Sequence, residues 1–234
     1  MKLLFENWRQ YLNEGIDPRI QKQIDNLLQL PDVGISLKHV GSKGVYTGVH
    51  FEYAQVSTQS SMGFQNRLAD LDLPDDQWLQ RAEVPPFGSV SIVKSNPPFD
   101  GSCLDGYIVY MAEARGGWGP LLYEVALEWA SQNGGGLMSD RGMVSQPAAD
   151  VWKKYALRSD IDKKQLDVDH NIDNGWMKEY PQLTPDVEVD DCDQGSSIKS
   201  GGEDWADTSL SKIYYKDVPE VMNILKDAGR LIEQ

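Results

Sequence analysis

Three glycines fall within four positions, Gly116, Gly117 and Gly119, where a strand-like stretch (104–114) gives way to a strongly patterned helical one. Glycine is costly wherever ordinary backbone would serve, so the cluster suggests that bare main chain is needed there. A strand running through such a turn into a helix gathers amides at a helix N-terminus, where the dipole adds about half a positive charge. With side chains absent, a diphosphate can approach the main chain. Pro120 suits the helix start, because its missing N–H would have had no intrahelical partner. The turn is neither a Walker loop nor a dinucleotide fingerprint, since it lacks Gly-Lys-Ser/Thr and a third glycine at the required spacing. On these residues alone, an anion-binding turn and a ligand-free αβ turn both stay open.

The elements that would position these groups follow from periodicity. Asp17-Pro18 starts a helix carrying Ile20, Ile24, Leu27 and Leu28, and Pro31 ends the run. Residues 3–13 and 64–81 carry weaker helical patterns. Residues 44–56 alternate and are rich in β-formers, and 87–95 and 104–114 read as two further strands. After the glycines, Leu122, Val125, Ala126 and Trp129 form one stripe, closed by Asn133 and Gly134–Gly136. A short strand at 136–140 precedes a helix capped by Ser145, with Ala148, Trp152 and Tyr155 along its apolar face. A late strand (210–216) and a final helix (218–232) complete the pattern. Strand–helix–strand–helix between 104 and 157 argues for an α/β core with parallel pairing.

Composition sets the remaining bounds. The 234 residues are 40% hydrophobic, enough for one good-sized core. No apolar stretch approaches the roughly 18 residues that span a membrane, so no membrane partner is expected. Two cysteines do not make a disulfide framework, and a reducing compartment is the default. The net charge of −14 disfavours a nucleic-acid-binding surface. It is concentrated: 160–208 holds fourteen acidic residues and four lysines, a net of −10. Residues 167–175 depart from a calcium loop in glycine position and terminal ligand, and no metal site is expected.

The layout from 104 to 157 resembles the GNAT superfamily of N-acetyltransferases. That family places Gln/Arg-x-x-Gly-x-Gly/Ala between its fourth strand and third helix, and here Gly117-Trp118-Gly119 supplies Gly-x-Gly. The next landmarks follow in order: a helix, a short strand ending near Ser139-Asp140, then a helix opened by Ser145 with Ala148 three residues on. Two positions depart. The Gln/Arg position falls on Ala114, with Arg115 one residue later, and the family's tyrosine falls on Trp152, with Tyr155 almost a turn beyond.

The resemblance implies an α/β fold, a GNAT-like central mixed sheet flanked by helices, here with an acidic C-terminal extension. Its core would span 15–158, with 159–234 adding the acidic segment, a late strand and a helix. It implies direct acetyl transfer from acetyl-CoA to an amine. Amides from Arg115 to Gly119 (Arg115, Gly116, Gly117, Trp118, Gly119) would hold the diphosphate, and the backbone of Tyr110, Met111 and Ala112 would pair with the pantetheine arm. Tyr155 would be the acid, and Glu52, His50, Glu113 or Asp140 the base.

The first fourteen residues have a separate meaning. Leu12-Asn13-Glu14 followed by Gly15 resembles the cleavage site of prohead proteases in large tailed phages. That resemblance implies a leader, 1–14, removed between Glu14 and Gly15, and a chain that acts in the host cytoplasm or is packaged in a phage head. Two further readings stand beside the enzyme: a non-catalytic internal head protein that keeps the fold, and an acidic protein that engages a basic partner through 160–207.

Overall fold

The computed structural model describes residues 16–30, 32–42, 46–56, 87–95, 103–139, 144–168, 191–192 and 208–233. The expected helices at 3–13 and 64–81, the cleavage pair Glu14 and Gly15, Asp140, and most of the acidic stretch lie outside these residues.

Helix α1 (Pro18–Gln29) begins as its sequence dictates: the Asp17 carboxylate accepts the Arg19 amide at 2.8 Å, and Pro18 opens the first turn. Ile20, Ile24 and Leu27 are buried, whereas Leu28 points outward. Strands β1 (Val33–Ser42) and β2 (Tyr46–Gln55) form a long antiparallel hairpin from Val33↔Gln55 to Ser42↔Tyr46. Strand β3 (Gly88–Ser95) pairs with β2, and β4 (Tyr107–Ala114) pairs with β3, both antiparallel. Helix α2 (Gly119–Asn133) then leads to β5 (Leu137–Met138), which lies parallel to β4. Helix α3 (Gln146–Leu157), β6 (Asp162–Gln165), the separate parallel pair β7 (Asp167–Val168) and β8 (Asp191–Cys192), β9 (Lys212–Tyr215), α4 (Glu220–Asp227) and β10 (Leu231–Glu233) follow.

The main sheet is mixed and eight-stranded, in the order β10-β1-β2-β3-β4-β5-β9-β6. The protein is thus a mixed α/β fold with four helices among the described residues. Strand β9 inserts between β5 and β6, so residues beyond 159 contribute to the same sheet. None of these helices is long and apolar enough to cross a membrane.

Several sequence expectations are corrected. The stretch 33–42 is a strand that the sequence reading passed over, although Val33, Ile35 and Leu37 alternate inward. The strand expected from 104 starts at Tyr107, after a 3-10 turn at Cys103–Asp105. The final helix stops at Asp227 rather than continuing to 232. Gly229, at φ 65°, turns the chain in the left-handed region, and β10 then runs parallel to β1. Ser145 holds the cap position of α3, but its side chain makes no capping hydrogen bond. Helix α2 is not a one-sided amphipath: every residue from Leu121 to Ala130 is buried, Glu124 and Glu128 included. It packs on β3 with α1 and α4 beside it.

Candidate active site

The glycine turn is held from beneath and open above. Arg115 donates its amide to the Phe87 carbonyl at 3.1 Å, and Trp118 donates its amide to the Arg115 carbonyl at 3.0 Å. The Trp118 ring folds back against Phe87 and Tyr53, with centroids 4.8 and 5.3 Å away, and the Tyr53 hydroxyl donates to the Trp118 carbonyl at 2.8 Å. Burial raises the Tyr53 pKa well above its ordinary value, so this donor stays protonated. Arg115 and Trp118 therefore anchor the turn through their own amides. The set of amides free to meet a ligand narrows to Gly116, Gly117 and Gly119, which donate to nothing among the described residues.

Gly117 sits at φ +90°, a conformation that favours glycine, and a Cβ at Gly116 or Gly117 would meet nothing within 4 Å. Behind the glycine turn, Leu121 in the first turn of α2 donates to the Gln23 side-chain oxygen at 2.7 Å, so α1 closes the other side of the helix start. A cleft beside that start is lined by Arg19, Pro120, Lys154, Tyr155 and Arg158. Arg19 pairs with Asp17, and Arg158 with Glu124 and Asp160, whereas Lys154 makes no ion pair among the described residues.

Strand β4 brings a second feature to this end of the sheet. It pairs with β5 only at Tyr107↔Leu137 and Ile108↔Met138. From Val109 to Ala114 that edge has no strand partner among the described residues, and Tyr110 to Ala114 are exposed. Opposite β3 the register jumps from Ser91↔Met111 to Ile92↔Val109, so Tyr110 is the extra residue of a β-bulge. Bulges bend a strand and leave a residue out of the ladder. Tyr110, Met111 and Ala112 thus present free main chain leading straight to the glycine turn.

Two of the candidate bases share one face. Glu52 lies opposite Ser89, and Ser89 lies opposite Glu113. At normal strand spacing the two carboxylates are separated by two strand intervals, about 10 Å between backbones. Glu113 is exposed. Glu52 binds Lys38 at 2.5 Å and faces His50 at 3.6 Å. The sequence reading did not single out Lys38, Ser91 or Lys154. The alternation of Ser89, Ser91 and Val93 against Val90 and Ile92 was the available signal for a polar face on β3.

Tyr155 is placed differently. It is 3% exposed, and its hydroxyl is buried without a hydrogen-bond partner. The ring packs against Trp152 and Tyr214, with Arg158 over its face at 5.6 Å, and none of its described contacts is to β4. Burial and the nearby Glu124 charge push its pKa well above 10.0, which makes it a poor proton donor. Trp152, at the position of the family's tyrosine, is stacked on Tyr214 and is also a core residue. Replacing Tyr155 by Phe is expected to keep or raise stability by about 1 kcal/mol, since it removes an unsatisfied buried group. Turnover is expected to stay within threefold. A hundredfold loss of turnover with unchanged cofactor binding would identify Tyr155 as the acid after all.

No protein-family model, curated protein or solved structure matches this chain.

Proposed function

We propose that the protein is an acetyl-CoA-dependent N-acetyltransferase of the GNAT kind. The observation that carries this reading is the pairing of an open glycine turn at the head of α2 with the free, bulged edge of β4 that leads into it. The amides of Gly116, Gly117 and Gly119 suit a diphosphate, and Lys154 lines the cleft that Pro120 borders. The edge from Tyr110 to Ala112 suits a pantetheine arm, whose amides would pair as a strand does. Strands β1 to β4 run antiparallel, β4 lies parallel to β5, and the next strand in the sheet is the late β9. This order supports the GNAT reading, as does α2 crossing between β4 and β5. Positioning the amine against an already reactive thioester would supply much of the acceleration.

Coenzyme A titrated against the intact chain tests this reading. At about 100 times its dissociation constant a ligand adds about 2.7 kcal/mol, a rise in Tm of about 5–10 °C for a chain of this size. No shift with coenzyme A or acetyl-CoA would remove the proposal.

The burial of Trp152 and Tyr155 favours a second reading, in which the fold binds the carrier but transfers nothing. A coenzyme A shift without acetylation of any amine would select it. In either case we place the chain in a phage, with 1–14 as a leader. Ile16 is already a core residue and Asp17 caps α1, so cleavage between Glu14 and Gly15 leaves both in place. Protein extracted from phage particles is then expected to start at Gly15 in an intact mass spectrum; a Met1 start would sink the leader.

A further inference from the structure

The sheet face turned away from α2 carries a polar row that the thioester site does not use. Lys38 lies opposite His50, His50 opposite Ser91, and Ser91 opposite Met111, immediately beside the bulged Tyr110. The His50 Nδ1 is 2.8 Å from the Ser91 Oγ, and its Nε2 is 3.6 Å from the Glu52 Oε2. The other Glu52 oxygen, Oε1, holds Lys38 at 2.5 Å. Each carboxylate oxygen thus has its own partner. These contacts give the imidazole a direction. A bare Nε2 lone pair facing a carboxylate would be repelled, so the proton belongs on Nε2, and Nδ1 is left to accept from the Ser91 hydroxyl.

We propose that Ser91, His50 and Glu52 form a proton relay that takes the proton of the acceptor amine as it attacks the thioester. The proposal rests on the acetyltransferase reading and names its base. The amine nitrogen bonds to the acetyl carbonyl carbon. Its proton passes to the Ser91 oxygen while the Ser91 proton moves to the His50 Nδ1. The C–S bond breaks, and the coenzyme A thiolate leaves and is protonated by solvent. His50 afterwards returns its proton to water. Ser91 is the catalytic group, since it meets the amine. His50 and Glu52 act through it and are positioning residues. The charged groups facing His50 from the described elements are Lys38 on β1 and Glu52 on β2, with Glu113 of β4 beyond Ser89. The net charge of −14 favours a cationic amine, so spermidine is the probe.

The relay is tested first without turnover. Nitrogen NMR of the labelled full chain is expected to show neutral His50 as the Nε2–H tautomer, and Glu52→Gln is expected to shift the population toward Nδ1–H. An Nδ1–H tautomer overturns the relay. With acetyl-CoA and spermidine, His50→Gln should lower kcat about 100-fold, and Ser91→Ala should lower kcat without changing the acetyl-CoA KM. Stabilisation by acetyl-CoA should be unchanged in both. A His50→Gln enzyme that keeps the parent kcat also overturns the relay. If acetyl-CoA fails to stabilise even the parent chain, the acetyltransferase reading falls, and the tautomer still reports separately on His50.

Discussion

Replacing Gly116 by glutamate is expected to weaken the proposed coenzyme A binding at least about 100-fold while the protein stays folded. The argument separates the two effects by position. Gly116 is not in the left-handed region, and a Cβ there meets nothing within 4 Å, so neither strain nor a clash opposes a side chain. Substitutions at such open positions usually change stability by no more than about 0.5 kcal/mol. Binding is another matter. The new carboxylate would stand among the amides of Gly116, Gly117 and Gly119, occupying them and repelling a diphosphate. Juxtaposed like charges cost several kcal/mol, so the dissociation constant should rise at least about 100-fold. Gly116→Ala, which adds bulk without charge, should weaken binding only a few-fold. Gly117 is a worse choice, because at φ +90° any side chain would add backbone strain of about 1–3 kcal/mol and confound the readout. Isothermal titration with coenzyme A, beside a melting curve for each variant, decides the matter. Equal affinity for Gly116→Glu and the parent chain would remove the turn from any phosphate-binding role.

That turn was legible in the sequence because its information is local. Glycine spacing, Pro120 and the change from period two to period 3.6 all lie within about twenty residues, and the strand, turn and helix form where they indicate. The Asp17-Pro18 helix start was legible for the same reason. What escaped notice was decided by distant partners. Residues 33–42 contain two glycines and the polar Ser36, Lys38, His39 and Ser42, and only a ten-pair ladder with β2 makes them a strand. Leu231–Glu233 reads as the end of a helix until β1 offers a parallel edge. Tyr155 was a fair acid candidate by position along its helix, yet β9 places Tyr214 against it and closes it into the core. Glu124 and Glu128, four apart on α2, are both fully buried. No local pattern announces that a lysine 88 residues beyond Glu128 will meet both.

That lysine carries the other large expected effect. Lys216→Met is expected to destabilise the fold by about 3–5 kcal/mol, the usual consequence of removing one partner from a buried ion pair. The Lys216 ammonium is 3.0 Å from Glu124 Oε1 and 3.0 Å from Glu128 Oε1, and both carboxylates are fully buried. Glu124 would keep its two bonds from Arg158, at 2.6 and 2.8 Å. Glu128 would keep only the amides of Val221 and Met222 at the head of α4, at 3.0 and 2.8 Å. The uncompensated charge therefore falls mainly on Glu128, whose pKa burial already raises above 4.5. A double variant, Lys216→Met with Glu128→Gln, should recover part of the loss, because glutamine removes the charge and still accepts an amide. The pH dependence supplies an independent check. Burial alone would lower the Lys216 pKa, but the charges of Glu124 and Glu128 outweigh it and hold it above 10.5. A raised folded-state value means the stabilisation is complete below about pH 10.5 and is lost as pH rises through the folded value. The parent chain should therefore lose stability above about pH 10.5, and Lys216→Met should lack that component. Conversely, the deficit of the variant should shrink as pH falls through the raised Glu128 value, where the unpaired carboxylate gains a proton. Urea unfolding at pH 5, 7 and about 11.5 measures all three. A deficit under 1 kcal/mol at pH 7 would mean that Lys216 is dispensable and that α4 is held to α2 by apolar packing alone.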